Sequence, residues 1–406
     1  MNILYIAYSC SPYAGSEDKI GWSIPYESSK TNHVVVITKE EQRRDIENFL
    51  QQNQETNMDV HYVDIPRIYK KLFKGFLYSG RLNVWQKRAF ALAEQYCAQH
   101  PIDVIHQVTP VEFRAVGEYF RIPNVKFVCG PLGGGESIPV GLRRYASGHW
   151  AVEAVRGVIN RWCRFTMELS CKLDRCDVVM FANRETRDFL SGMSKRHKSA
   201  ELYSEIGLSE DDLLIGPKRS NDNHKCRFLS AGRMIYRKGY DFLLDALEQL
   251  PEELDYEFHI LGCGPELDRL RQRCANYSKL SKHVFFAGAV PYDKMKEEYS
   301  KADVFVMPSI RETTGSVLLE AMSKGLPVIT IGKFGGALLV GEESGWLLDG
   351  YDQNTYIDAL RNALEACIRD PDEVIRRGNA ARSSAKAYTW KRKNHHYQEI
   401  YRKIIH

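Results

Sequence analysis

Glu312 and Glu320 stand eight positions apart in the run Arg311-Glu312-Thr313-Thr314-Gly315-Ser316-Val317-Leu318-Leu319-Glu320, and the pattern between them predicts a helix start. Thr313 or Thr314 suits a helix N-cap, and Val317, Leu318, Ala321 and Met322 form an apolar stripe at helical spacing. Glu312 then falls in the preceding loop and Glu320 inside the helix. From Thr314 to Glu320 the rise is roughly 9 Å. Carboxylates so far apart cannot grip one small group; they can bracket an elongated ligand. The N–H groups of Gly315 and Ser316, at the positive end of the helix dipole, suit a diphosphate. The chemistry implied is binding of a nucleotide-sugar, one carboxylate toward each sugar ring.

Cations for a diphosphate occur earlier. Arg227 to Ser230 reads as a strand, followed by Ala231-Gly232-Arg233-Met234-Ile235-Tyr236-Arg237-Lys238-Gly239 and an amphipathic helix with Leu243, Leu244, Ala246 and Leu247. Arg233 and Lys238 therefore emerge at a strand's carboxyl end, where open α/β sheets bind ligands. Two cations there hold phosphates and stabilise the charge that grows on a departing diphosphate. Lys238, beside Gly239, is the expected ligand in preference to Arg237. Gly262-Cys263-Gly264-Pro265-Glu266 also follows a strand and opens a helix, but lacks the third glycine of a dinucleotide fingerprint. With no G-x-G-x-x-G after the first strand either, an NAD-dependent oxidoreductase is disfavoured.

Glycine loops come from the first half. In Ser9-Cys10-Ser11-Pro12-Tyr13-Ala14-Gly15-Ser16-Glu17, Gly15 would let backbone approach phosphates. Cys129-Gly130-Pro131-Leu132-Gly133-Gly134-Gly135-Glu136 follows the strand Val125 to Val128, and three consecutive glycines there imply close backbone approach or positive φ. Glu17, Gly134 and Glu136 are the candidate acceptor contacts. His106, at a strand end, reads as a buried histidine with its hydrogen bonds satisfied.

Together these motifs resemble glycosyltransferase family four, retaining enzymes of the GT-B fold. The resemblance rests on E-x7-E (Glu312, Glu320) closed by Gly325-Leu326-Pro327 and the strand Val328 to Ile331, on G-R-x4-K-G from Gly232 to Gly239, and on Asp303-Val304-Phe305-Val306-Met307-Pro308-Ser309. It spans residues 226–349 in the family's order. It implies an α/β fold of two Rossmann-like domains facing across a cleft, with a C-terminal helix crossing back to the first. By resemblance Glu312 contacts the transferred sugar, Glu320 the ribose, and Arg233 and Lys238 the phosphates, which makes Glu312, Arg233 and Lys238 the catalytic group. The loop of Gly264 and the segment of Val290 border the base, and Gly15, Thr314, Gly315 and Ser316 complete the donor site. Two departures stand out. Many members carry a histidine where this chain has Gly133-Gly134-Gly135-Glu136. Retention is usually explained by attack on the face the diphosphate leaves, with the leaving phosphate taking the acceptor proton, so no protein base is required. Thr313-Thr314 also replaces the bulky-Gly pairing often found after the first glutamate, in the neighbourhood that sets sugar identity.

These residues need a scaffold of parallel layers. At 406 residues, two domains of about 200 residues are expected. Short β-rich runs alternate with helical patterns: Ile3 to Ala7, Val34 to Thr38, Val104 to His106, Val125 to Val128 and Val178 to Phe181, then Arg227 to Ser230, Glu257 to Leu261, Val284 to Ala287, Val304 to Met307 and Val328 to Ile331. Ser209 to Lys225 is polar and reads as an exposed linker. The predicted division is 1–205 for an acceptor-binding domain, 206–385 for a donor domain and 386–406 for the crossover helix.

Composition narrows the class. A net charge of +4 argues against a dedicated nucleic-acid binder, although residues 1–200 hold 27 Lys+Arg against 21 Asp+Glu. The ten cysteines lack C-x-x-C pairs, which disfavours zinc or a disulfide framework and predicts a reduced, cytoplasmic setting. No run of 18 apolar residues occurs, and Met1 to Ala7 lacks the features of a signal peptide. The two cations could replace a divalent ion at the diphosphate, so neither metal nor cofactor is expected. Pro66 to Arg88 carries Arg67, Lys70, Lys71, Lys74, Arg81, Lys87 and Arg88 and no acid, interleaved with Tyr69, Leu72, Phe73, Phe76, Leu77, Tyr78 and Trp85. This stretch suits docking on an anionic membrane face to reach a lipid-linked acceptor, with Arg143, Arg144, Trp150, Arg156, Arg161, Trp162 and Arg164 as a second set. The function expected is transfer of a hexose, with retention, from a UDP-sugar to a saccharide or lipid-linked saccharide in polysaccharide biosynthesis. The alternatives are a nucleotide-sugar epimerase or phosphorylase of the same fold, or a non-catalytic partner of a glycosyltransferase. Retention of Arg233, Lys238, Glu312 and Glu320 argues against the last.

Overall fold

The computed structural model describes residues 1–53, 56–73, 75, 78–143, 148–191, 200–214, 225–291 and 294–406. The chain divides into two compact units. The first comprises Met1–Gly135, Val155–Gly207 and Trp390–His406; the second comprises Glu136–Ala154 and Leu208–Thr389.

The first unit holds a seven-stranded sheet in the order β3-β2-β1-β4-β5-β6-β7, where β1 is Asn2–Ala7, β2 His33–Lys39, β3 Met58–Val63, β4 Val104–Thr109, β5 Lys126–Leu132, β6 Val178–Phe181 and β7 Ala200–Leu202. Every pair is parallel. The central strands are near-continuous apolar runs because helices cover both faces. Leu4, Ile6, Val35, Ile105, Phe127 and Val179 are fully or almost fully buried. The last helix, Trp390–Ile405, packs in this unit, with Trp390, Tyr397 and Tyr401 buried.

The second unit holds a six-stranded parallel sheet, β10-β9-β8-β11-β12-β13. Here β8 is Cys226–Ala231, β9 Tyr256–Leu261, β10 Val284–Gly288, β11 Val304–Met307, β12 Val328–Ile331 and β13 Gly345–Leu348. Its core runs through Phe228, Phe242, Phe258, Val306, Ile329 and Tyr356, and also takes Ile138 and Leu142 from the inserted segment. Both sheets have the doubly wound Rossmann order, which reverses between β1 and β4 and between β8 and β11.

The division differs from the sequence reading in two ways. Residues 136–154 belong to the second unit. Ser209 to Lys225 also does not begin as an exposed linker: Glu210–Leu214 is helical, and Asp212 is buried, accepts from Ser209 Oγ at 2.7 Å, and gives its carbonyl to Lys324. Pro217, Lys218, Arg219, Asn221, Asp222 and Asn223, like Lys74, Phe76, Leu77 and Arg144, lie outside the described residues.

Candidate active site

The loops after β8 and β11 leave neighbouring strands at the point where the second sheet's order reverses, the place where doubly wound sheets form a ligand crevice. Lys238 ends a short turn, Tyr236–Lys238, and Gly239 follows with φ of 71°. A Cβ on Gly239 would stand 1.9 Å from the Pro308 carbonyl oxygen, so this glycine seats one loop against the other. The contact brings Glu312 to two cations. Lys238 Nζ donates to Glu312 Oε2, and the Arg237 guanidinium stands 3.6 Å from Oε1 while donating to the Arg311 carbonyl at 3.2 Å. Burial pushes the Glu312 carboxyl up, but Lys238 and Arg237 outweigh it and hold the group below the ordinary glutamate range. Arg237, passed over in favour of Lys238 on sequence, shares the carboxylate. Arg233 is exposed, and among the described residues its side chain makes no hydrogen bond or ion pair.

A second ring of contacts holds this cluster, and nothing in the sequence pattern pointed to it. Glu153, with 7% of its side chain exposed, accepts from Arg311 at 2.9 Å and from the Tyr236 hydroxyl. His149 stacks on Tyr236 with centroids 4.2 Å apart. Glu136, expected to meet an acceptor from the first half, is instead buried in the second unit, where the Thr313 hydroxyl donates to it at 3.1 Å.

The helix start is also corrected. The helix runs Ser316–Ser323, and its N-cap is Gly315, in the left-handed region at φ 85°, with no side-chain cap bond. Thr313 is taken up by Glu136, and Thr314 is buried against Gly335, where an added Cβ would meet the Thr314 Cα at 2.2 Å. The N–H groups of Ser316 and Val317 lead the helix without intrahelical acceptors. Glu320 lies on this helix away from the Lys238 cluster, accepting from the Tyr299 hydroxyl at 3.0 Å. Gly264, at φ 157°, has an internal reason to be glycine: a Cβ would fall 2.3 Å from the Met234 carbonyl oxygen. Val290 is half-buried in the loop after β10.

In the first unit Gly15 is exposed, and a Cβ there would meet nothing within 4 Å. The fold therefore sets no steric need for glycine at this position. Ser16, beside it, takes φ 56° as N-cap of the helix Glu17–Ser29. Glu17 is committed to the fold: Val111 N–H donates to Oε1 at 2.6 Å, and burial pushes the carboxyl above its ordinary range. Gly134, at φ 93°, has no room for a side chain beside the Glu112 carboxylate, and its carbonyl accepts from Arg156 at 2.7 Å and Asn160 at 3.1 Å. His106 donates from Nε2 to the Gly130 carbonyl at 2.7 Å and accepts at Nδ1 from Tyr401 at 2.5 Å; burial lowers its pKa to about 4. It is a structural neutral imidazole. Among the described residues no group of three or more His, Cys, Asp or Glu could hold a metal ion.

Paired Rossmann-order sheets with a last helix returned to the first unit define the GT-B class, and solved structures agree. Sucrose-phosphate synthase from Thermosynechococcus elongatus superposes with TM-score 0.69 at 21% identity, covering 99% of this chain and 98% of its own. Anabaena HepE in complex with UDP and glucose gives 0.64 at 16%, covering 99% and 100%. Residues 215–382 match the family described as Glycosyl transferases group 1. A GDP-mannose-dependent alpha-(1-6)-phosphatidylinositol monomannoside mannosyltransferase of Mycolicibacterium smegmatis is 32% identical over 51% of this chain and 56% of its own length. A D-inositol 3-phosphate glycosyltransferase of Corynebacterium urealyticum is 30% identical over 57% and 58%. The chain thus spans little more than half the length of these curated relatives.

Proposed function

We propose that this chain is a retaining, metal-independent glycosyltransferase that moves a hexose from a nucleoside-diphosphate sugar, UDP-linked, to a saccharide or lipid-linked saccharide in glycan assembly. The observation that carries the reading is Glu312, held ionised between Lys238 and Arg237 at the switch point of the second sheet, with Arg233, unpaired among the described residues, on the same β8 loop. An ionised carboxylate in a half-dry site accepts strongly from sugar hydroxyls. Cations aimed at a diphosphate stabilise the charge that develops as the sugar leaves. The proposed roles are therefore Glu312 on the transferred sugar, Arg233 and Lys238 on the phosphates, and Glu320 on the ribose. The Gly315–Ser316 helix start would take a phosphate oxygen, and Gly15 is proposed as a further donor contact. The departing phosphate takes the acceptor proton. One relative's name carries GDP-mannose and the Anabaena structure holds UDP, so a nucleoside diphosphate is common to both; uridine is the finer reading.

The acceptor is proposed to be met at an anionic membrane face through residues 66–88, from the cytoplasmic side. Exposed Arg67, Ile68, Tyr69, Lys71 and Leu72 support this, whereas Lys70 is paired with Glu41 and Asp64, Arg81 with Glu41, and Trp85 lies in the core. No helix among the described residues is long and apolar enough to cross a membrane.

The test is a thermal-shift and turnover screen of UDP- and GDP-sugars with the intact chain, Glu312→Ala and Lys238→Ala. Stabilisation by a UDP-sugar, loss of transfer in a Glu312→Ala variant that still folds, and roughly tenfold to hundredfold weaker nucleotide binding in Lys238→Ala are expected. Wild-type transfer in both variants would overturn the assignment.

A further inference from the structure

The helix Trp150–Leu169 turns a row of large apolar side chains to solvent: Val155 (44% exposed), Val158 (59%), Trp162 (65%), Phe165 (50%) and Leu169 (70%). Asn160 and Met167, on its other side, are buried. The exposed positions are spaced by three, four, three and four residues, the repeat that presents a straight seam to one other helix. Arg161 and Glu168 flank that seam on one side. Both are exposed, and neither side chain makes a hydrogen bond or ion pair among the described residues.

We propose that two copies of this chain associate through this helix, antiparallel about a two-fold axis passing between positions 163 and 164. In that register Trp162 lies against Phe165 of the second copy, and Val158 against Leu169. The same register places Arg161 opposite Glu168 of the second copy, and by symmetry the reverse pair forms as well. Charge complementarity decides between this occupant and a lipid surface: an anionic membrane would repel Glu168, whereas an antiparallel twin pairs it. The other cations of the region are already used within the chain, Arg156 on the Gly134 carbonyl, Arg164 over the Phe189 ring and Arg143 over Trp150. One pair of helices meeting along a seam of about four turns buries less than the ~800 Å² per partner of a standard interface, so the dimer dissociates on dilution.

Sedimentation velocity of the full chain across a dilution series tests this. The wild type is expected to pass from dimer to monomer, and Arg161→Glu and Glu168→Arg to weaken the dimer by at least about tenfold each, with Arg161→Glu/Glu168→Arg restoring it. Trp162→Ser, at an exposed site that leaves the melting profile unchanged, should abolish it. A wild type that is monomeric throughout overturns the proposal, as does a dimer indifferent to Trp162→Ser. Single charge variants that dimerise normally, or a double variant that fails to recover, overturn the antiparallel register. Monomers that bind anionic vesicles through Trp162 would assign the face to lipid instead.

Discussion

Glu153 accepts hydrogen bonds from Arg311 and Tyr236, which tether the two loops carrying Glu312 and Lys238. The pair is largely buried, with 12% of the Arg311 side chain and 7% of the Glu153 side chain exposed. Removing one partner strands the other charge where water cannot reach it.

Glu153→Ala is therefore expected to destabilise the protein by about 3 kcal/mol in urea denaturation, and to lower the turnover number more than nucleotide affinity. Glu153 touches no reacting atom; it positions Arg311, whose neighbour is Glu312. A loss under about 1 kcal/mol would match a surface ion pair and end this reading.

Lys393 gives a pH signature. It lies fully buried on the last helix, its ammonium donating to the Ser204 carbonyl over the Tyr203 ring at 3.9 Å. Burial lowers its pKa to about 7, against the opposing pull of Glu205. Below that value the folded state bears a buried charge and the full penalty. Between about 7 and the unfolded value near 10.4, the unfolded chain binds a proton that the folded chain lacks, so stability rises with pH through that window. Wild type should gain up to about 1.4 kcal/mol per pH unit relative to Lys393→Met between pH 7 and 9. Parallel slopes for the two proteins would remove Lys393 from this role.

Membrane docking is testable at Arg67 and Lys71, the exposed cations beside Ile68, Tyr69 and Leu72. Cosedimentation with anionic vesicles should fall roughly tenfold or more on Arg67→Glu/Lys71→Glu, at about 1 kcal/mol per basic residue, and should vanish with neutral lipid. Equal binding to both vesicles, or none, would refute the docking face.

The strands legible in the sequence were those in the sheet interiors, plus one edge strand, β10. Those missed were β3, β7 and β13, all at sheet edges. Their residues show why: Met-Asp-Val-His-Tyr-Val is only half-buried, β7 has three residues, and β13 opens on glycine. An edge strand buries less of itself, so its apolar run is diluted to the level of a loop. In the candidate site, the loop positions of Glu312, Lys238 and Arg233 could be read because they sit at fixed offsets from strands. Glu153 and Glu136 could not, since their roles depend on a segment leaving one unit to join the other. The cap assignment failed because Gly315 takes a left-handed conformation that releases Thr313 to Glu136.

The interleaving of the two units also sets an order of assembly. Residues 136–154 are synthesised long before the strands they pack with, and the helix Trp390–Ile405 emerges only after the second sheet is made. Chains fold from the N-terminal end as they are made. Here the sheet that is synthesised first receives this covering helix only after the second sheet has been made, and Tyr5 and His106 wait until then for Tyr401.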